Sequence, residues 1–198
     1  SQCGIFIKLF PFLNLSYNLC VRTTVTSIPV TMSFVGDGPQ QLLLLGVYDG
    51  EVDDVTAALE AGANVNGTPE HPYAPIVVAA MGDHASMIVF LLEQGADPDL
   101  PATEKVPHLC PISDTDTATP GERALHVAAR NGYIEIVNLL LKRARADPNA
   151  TDDRGYTPLM ACCSREDVCV GSARLLLEAG GDPALAQEQG FIPLHFVA

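Results

Sequence analysis

The residues of this sequence that could bind a metal ion include three cysteines that lie close together in the chain. Cys162, Cys163 and Cys169 supply three thiols, the ligands that soft metal ions prefer. Adjacent residues of a helix point about 100° apart, and no histidine lies near these thiols to complete a zinc site. We therefore interpret Cys162 and Cys163 as small packing residues of a helix in a reducing compartment.

The sequence also lacks a complete metal site, a phosphate-binding loop and a nucleophile–base pair elsewhere. His108 and Cys110 supply only two metal ligands. The glycines between Val35 and Pro39 lack the lysine and the preceding strand of a phosphate-binding loop. No nucleophile stands at a spacing that pairs it with a base. The sequence predicts no catalytic residue, no metal, no cofactor and no small-molecule substrate.

The overall charge narrows the classes of partner. The chain has 198 residues and a formal net charge of −13, so it lacks the basic footprint that contacts phosphate backbones, and we expect no direct binding to nucleic acid. Residues 5–21 are apolar on average, but Lys8, Pro11 and two asparagines interrupt them. No membrane span is predicted, since a span needs about 20 mostly apolar residues.

A helical unit that recurs along the chain positions these residues. Its fullest copy, residues 121–149, has two short segments with apolar residues at helical spacing, on either side of Asn131-Gly132. Both residues of that dipeptide tolerate positive φ, which suits a turn. Apolar anchor residues near the start of each copy are separated by 33, 49, 34 and 35 positions. The anchors are Leu43, Ile76, Leu125, Leu159 and Leu194.

The unit resembles the ankyrin repeat. Ala146-Asp147-Pro148-Asn149 closes one copy and Thr157-Pro158-Leu159 opens the next, with a period close to the 33 residues of that family. The resemblance covers residues 37–198 and implies an all-α solenoid of stacked helix–turn–helix units with β-hairpin fingers. The units span residues 37–66, 67–99, 121–150 and 151–184, followed by a partial unit at 185–198.

Two features depart from the family pattern. No unit has both the Thr and the His of the opening Thr-Pro-Leu-His motif; Arg123, for example, stands in the Thr position before His126. Each missing hydrogen bond is expected to cost about 0.5–1.5 kcal/mol, which predicts moderate stability. The second connection is 16 residues longer than the others, and the inserted loop lies within residues 100–120. Its four prolines and polar run predict an exposed, mobile and dispensable segment.

Residues 1–36 are a separate, non-repeat segment. They contain no Asp or Glu and are rich in Ser and Thr, which leaves targeting sequence, upstream sequence, disorder and a structured cap as open alternatives. We expect the folded protein to begin near Met32 and the natural polypeptide to continue past Ala198. The expected location is the cytoplasm; the nucleus, and an organelle reached through residues 1–31, stay open.

The resemblance implies protein–protein recognition on a concave surface formed by the fingers and the inner helices. Exposed aromatic residues and arginines commonly anchor such interfaces, although aromatics that pack finger against finger are an open alternative. A second hypothesis is a regulatory or targeting segment of a larger enzyme or channel. The candidate binding residues are Tyr73, Asp153, Arg154, Tyr156 and Phe191 in the fingers and Tyr48, Asp49, Met81, Arg130 and Asn131 at inner-helix ends.

Overall fold

The computed structural model describes residues 38–68, 74–102, 120–164 and 169–196, all within one compact unit, residues 37–198. The interpretations of residues 1–36, of Tyr73 and of most of the inserted loop lie outside the described residues. Within the described ranges the chain forms eight α-helices and a final 3₁₀ helix. These are α1 Pro39–Asp49, α2 Val52–Glu60, α3 Pro75–Met81, α4 Ala85–Glu93, α5 Ala124–Asn131, α6 Ile134–Lys142, α7 Pro158–Cys163, α8 Val170–Glu178 and the 3₁₀ helix Pro193–Phe196.

The helices stack in two layers. The inner layer is the row α1, α3, α5, α7 and the 3₁₀ helix, each packed on the next, and the outer layer contains α2, α4, α6 and α8. Each inner α-helix also packs on the outer helix that follows it. The described residues thus form the all-α repeat solenoid that the sequence predicts. Their β-structure is limited to an isolated bridge at Thr68.

The inner helices are slim because small residues fill their buried positions. Ala128 and Ala129 of α5 are buried, and Cys162 and Cys163 occupy the corresponding positions of α7, which confirms their packing role. Proline stands at the first position of α1, α3 and α7, where a missing N–H costs no helical hydrogen bond. Thr157 caps α7, since its Oγ1 accepts from the Met160 N–H at 3.3 Å.

Four of the five anchors, Leu43, Ile76, Leu125 and Leu159, lie in the core, whereas Leu194 is 71% exposed in the final 3₁₀ helix. The run of leucines in α1 divides in a similar way. Leu43 and Leu44 are buried in the core, and Leu42 is 45% exposed. Most of the apolar surface of this run is therefore buried.

Side-chain hydrogen bonds at the closing motifs join consecutive repeats. The Oδ1 of Asn66 accepts from the N–H of Asp97 at 2.9 Å. Asp99 accepts from the N–H of Asp147 at 3.2 Å. Asn149 accepts from the N–H of Asp182 at 2.7 Å. The polar residue that ends each closing motif thus accepts a hydrogen bond from the backbone of the next closing motif. This hydrogen bond explains why the position is polar.

The inserted loop lies in a connector, which is the segment between the closing motif of one repeat and the inner helix of the next. The Ala102 N–H donates to Glu122 O at 2.8 Å and the Gly121 N–H donates to Ala102 O at 2.7 Å. Asp152 and Tyr156 close the next connector in the same way. Positions 102 and 122 are 20 apart whereas 152 and 156 are 4 apart, so this connector contains 16 additional residues between hydrogen-bonded ends.

Candidate partner-binding surface

The connector turn from Asp152 to Tyr156 is held by the hydrogen bonds of one buried carboxylate. The buried Asp152 carboxylate accepts from the N–H groups of Arg154 and Tyr156 at 2.9 and 2.7 Å and from the Arg154 guanidinium at 3.1 and 3.2 Å. Gly155 has φ 78°, a conformation that glycine adopts without strain, and this allows the turn to be tight. The Arg154 guanidinium lies over the Tyr156 ring, 4.8 Å from its centroid. Asp153 is exposed at the tip.

Two side chains at the start of the inner helix α5 form hydrogen bonds to this turn and the residue before it. The Nε2 of His126 lies 2.9 Å from Tyr156 O, and its Nδ1 accepts from the Arg123 N–H at 3.3 Å. The Arg123 guanidinium donates to the carbonyls of Asp99, at 2.8 Å, and Thr151. Arg123 thereby bridges two connectors, so the expected loss from the missing Thr is offset in this repeat. Burial lowers the pKa of His126 to about 4, against the effect of its bond to Tyr156.

The other predicted finger aromatics differ from Tyr156 in their surroundings. Phe191 is 45% exposed and meets the His195 ring edge-to-face, with centroids 5.8 Å apart. The buried Gln187 of this connector accepts a hydrogen bond from the N–H of Gln189 through its Oε1, as Asp152 does one repeat earlier. Tyr73 lies outside the described residues.

The inner-helix ends supply surfaces of mixed character. Asp49 is exposed, and Tyr48, Met81 and Asn131 are half-buried. The backbone oxygen of Tyr48 lies 2.8 Å from Nε2 of His84, which belongs to the next repeat. Tyr48 and Met81 also pack against the core. At these helix ends, the surface available to a partner therefore consists of Asp49 and the exposed parts of the half-buried side chains.

The Arg130 side chain is mostly buried and forms an ion pair. Its Nη1 pairs with Oε1 of Glu122, and the two side chains are only 15% and 2% exposed. Glu122 fills the connector position that Tyr156 fills in the next repeat. The structure thus joins Arg130 to the base of the inserted loop and leaves only a small part of its side chain in contact with solvent.

Burial makes the two thiols of α7, Cys162 and Cys163, less acidic. Burial, followed by the effects of Cys163 and Cys169, raises the pKa of Cys162 to about 12, and burial also raises that of Cys163. The Cys162 thiol donates to Cys169 O at 3.2 Å. In the part of the chain that the structure describes, no three His, Cys, Asp or Glu side chains are grouped so as to hold a metal ion. None of the helices described there has the length and apolarity needed to cross a bilayer.

Comparison with known proteins agrees with this geometry. A family model described as ankyrin repeats (3 copies) matches residues 43–152 and 125–198. The chain belongs to the ankyrin-repeat family. Ankyrin repeats generally mediate protein–protein interaction and are generally not enzymes.

Several curated proteins are similar to this ankyrin-repeat chain. Putative ankyrin repeat protein YahD of Escherichia coli is 27% identical over 71% of this chain and 64% of its own length. Protein phosphatase 1 regulatory subunit 27 of Mus musculus is 40% identical over 41% of this chain and 52% of its own length. Protein phosphatase 1 regulatory subunit 12A of the same species is 45% identical over 29% of this chain and 6% of its own length. The chain thus spans less than two thirds of each of these relatives.

Asp152, Glu122 and Arg123 hold this surface together, but none of the three was predicted to do so from the sequence. A signal for Asp152 was present: an Asp two residues before Arg and three before Gly is the pattern of an Asx turn. For Glu122 the signal was its position, since it replaces an aromatic residue of the equivalent connectors. No local signal pairs it with Arg130, eight residues away.

Proposed function

We propose that this chain is a non-enzymatic binding module that takes a protein partner on the concave side of its solenoid. The connector turns act there as β-hairpin fingers beside the inner-helix ends. The proposed location is the cytoplasm. The observation that supports the site most directly is the Arg154–Tyr156 pair, held in place by the buried Asp152 carboxylate.

The physical reason is pre-organisation. Ordering a mobile side chain on binding costs about 0.5–1.5 kcal/mol. The turn of repeat 4 already fixes both side chains, because Asp152 binds the guanidinium and the ring packs beneath it. An aromatic plate beside an arginine is also the kind of surface that dominates protein interfaces. Asp153, exposed next to the pair, adds a carboxylate for a polar or basic group of the partner.

The experiment compares three variants of the full chain against a partner recovered by cross-linking from the native source. Tyr156→Ala and Arg154→Ala should each weaken the partner's affinity about 30-fold, the effect of losing about 2 kcal/mol from an interface anchor. Arg174→Ala is the matched control, since Arg174 is an exposed arginine, also ion-paired, on the outer helix α8. Full affinity in both finger variants would reject this surface as the binding site.

A second candidate function is regulation of an enzyme, favoured by the two relatives named as regulatory subunits of protein phosphatase 1. On this hypothesis the concave side contacts the phosphatase. Isothermal calorimetry with purified phosphatase 1 catalytic subunit tests it directly. Binding that Tyr156→Ala weakens would support it, and no heat of binding at about 100 μM would reject it.

A further inference from the structure

Asn66 and Asn149 end two closing motifs at equivalent positions but are held differently. Oδ1 of Asn66 accepts from the Asp97 N–H at 2.9 Å. Oδ1 of Asn149 accepts from the Asp182 N–H at 2.7 Å, and its Nδ2 also donates to Gly180 O at 3.0 Å. Asn66 is exposed, and its Nδ2 makes no hydrogen bond within the described residues. The amide nitrogen of Asn66 is therefore the less restrained of the two.

The residue that follows each of these asparagines also differs. Asn66 precedes Gly67, which has φ 87°, whereas Asn149 precedes Ala150. Glycine has no Cβ, so its backbone nitrogen is open to approach from the preceding side chain. An asparagine followed by glycine can therefore close a five-membered ring, in which this nitrogen bonds to the side-chain carbonyl carbon. At Asn66 the closure requires rotation only about bonds of that residue.

The one other Asn-Gly sequence of the chain, Asn131-Gly132, is more constrained. Asn131 is the last residue of α5, and the Gly132 N–H donates to Ala129 O at 3.3 Å. Sγ of Cys169 lies 2.8 Å from the position that a Cβ on Gly132 would take. Ring closure at Asn131 would therefore unwind the end of α5 and move Gly132 against a packed side chain. The structure thus singles out Asn66.

We propose that Asn66 is a site of spontaneous deamidation in the folded protein. The Gly67 nitrogen gives up its hydrogen bond to Asn64 O, which is 3.0 Å long, and attacks Cγ of Asn66. The Asp97 N–H donates to the oxygen on which negative charge develops. The bond from Cγ to Nδ2 breaks, and ammonia leaves with the proton that the Gly67 nitrogen loses. Water then opens the cyclic imide at either carbonyl, so one water is consumed for each ammonia released and the product is aspartate or isoaspartate.

The two products have different effects on the junction between repeats 1 and 2. Aspartate keeps the acceptor, as Asp99 demonstrates at the equivalent position of repeat 2, where its carboxylate accepts from the Asp147 N–H at 3.2 Å. In isoaspartate the main chain runs through the former side chain, and the remaining carboxylate is one methylene group shorter. The hydrogen bond to Asp97 is then lost. Isoaspartate formation therefore detaches the first closing motif from the second, which is a slow and irreversible change in the first repeat.

The test is incubation of the folded full chain at mildly alkaline pH, followed by proteolysis and mass spectrometry. Conversion raises the mass of a peptide by about 1 Da, and chromatography separates the aspartate and isoaspartate forms. In the folded chain Asn66 should convert about tenfold faster than Asn131, and this ratio should fall towards one in urea, where the constraint on Asn131 is lost. Equal rates at the two sites in the folded chain, or no conversion at Asn66, would overturn the proposal.

Variants separate the structural contribution from that of the Asn-Gly sequence. Ala150→Gly places an Asn-Gly sequence in the third closing motif while Nδ2 of Asn149 stays bonded, so Asn149 should convert about fivefold more slowly than Asn66, the effect of one hydrogen bond. Asn66→Asp supplies the aspartate product and should keep slow hydrogen exchange at the Asp97 N–H, whereas the isoaspartate form should exchange severalfold faster there. Equal conversion at Asn149 and Asn66 in Ala150→Gly would overturn the role assigned to the structure. Unchanged exchange at Asp97 in the isoaspartate form would overturn the effect on the repeat junction.

Discussion

His126 should make the stability of this solenoid depend on pH through a single buried ring. The ring is fully buried, and its two nitrogens are both engaged, with the Arg123 N–H at 3.3 Å and with Tyr156 O at 2.9 Å. A neutral imidazole with its proton on Nε2 satisfies both bonds, because Nδ1 then keeps a lone pair to accept with. Protonation of Nδ1 removes that acceptor and places a charge in the core.

The magnitude follows from the pKa. Burial lowers the pKa of His126 from 6.5 in the unfolded chain to about 4 in the folded chain. Between these values the unfolded chain binds the proton and the folded chain does not, so the stabilisation is complete above about pH 6.5 and is lost as the pH falls towards 4. A difference of about 2.5 pH units corresponds to about 3 kcal/mol at 1.36 kcal/mol per unit.

Urea unfolding followed by circular dichroism measures this loss for the parent and for His126→Gln. An amide can accept and donate but does not titrate, so the parent should lose about 3 kcal/mol more than the variant between about pH 7 and pH 4. Taking the difference removes the contribution of the carboxylates. His195→Gln is the control, because His195 makes the equivalent bond to the Ile192 N–H but is exposed. Equal losses in the parent and His126→Gln would refute the reasoning.

Three further predictions concern stability. Arg130→Met should cost about 3 kcal/mol because it breaks the ion pair with the buried carboxylate of Glu122, and the double variant Glu122→Leu/Arg130→Met should recover most of that loss in urea unfolding. Deletion of residues 103–118 leaves three residues between the hydrogen-bonded ends, as in the next connector, so the melting temperature should change by only a few degrees; loss of folding would contradict this. Thr157→Ala should cost about 1 kcal/mol through the lost cap at Met160, whereas Thr157→Ser should cost less.

The repeat architecture could be predicted because its rules are local. The anchors Leu43, Ile76, Leu125 and Leu159 each belong to an apolar pattern of helical period, and all four are buried. The cap of α7 is likewise contained within a few consecutive residues. After α6 ends at Lys142, Arg145 adopts φ 56°, so the chain kinks at the exit of this helix.

The parts that could not be predicted depend on side chains reaching beyond their own turn. Arg123 contacts carbonyls 24 and 28 residues away in the chain, and no short motif specifies such a reach. Arg130 was predicted as a binding residue on the strength of its position, and the structure gives it a nearly buried partner instead. Of the finger residues, Arg154 and Tyr156 were predicted, but the carboxylate of Asp152 that fixes them was not.

The ion pair with Asp152 also determines how partner binding at the finger should respond to salt. Arg154 already shares its charge with Asp152, so on the finger face it contributes mainly as a flat surface over Tyr156. Screening at about 1 M salt shortens the Debye length to about 3 Å and weakens exposed charge pairs most. Raising the salt concentration should therefore change partner affinity at the finger only slightly. A large loss of affinity at high salt would mean that the Arg154 charge remains available to partners despite Asp152.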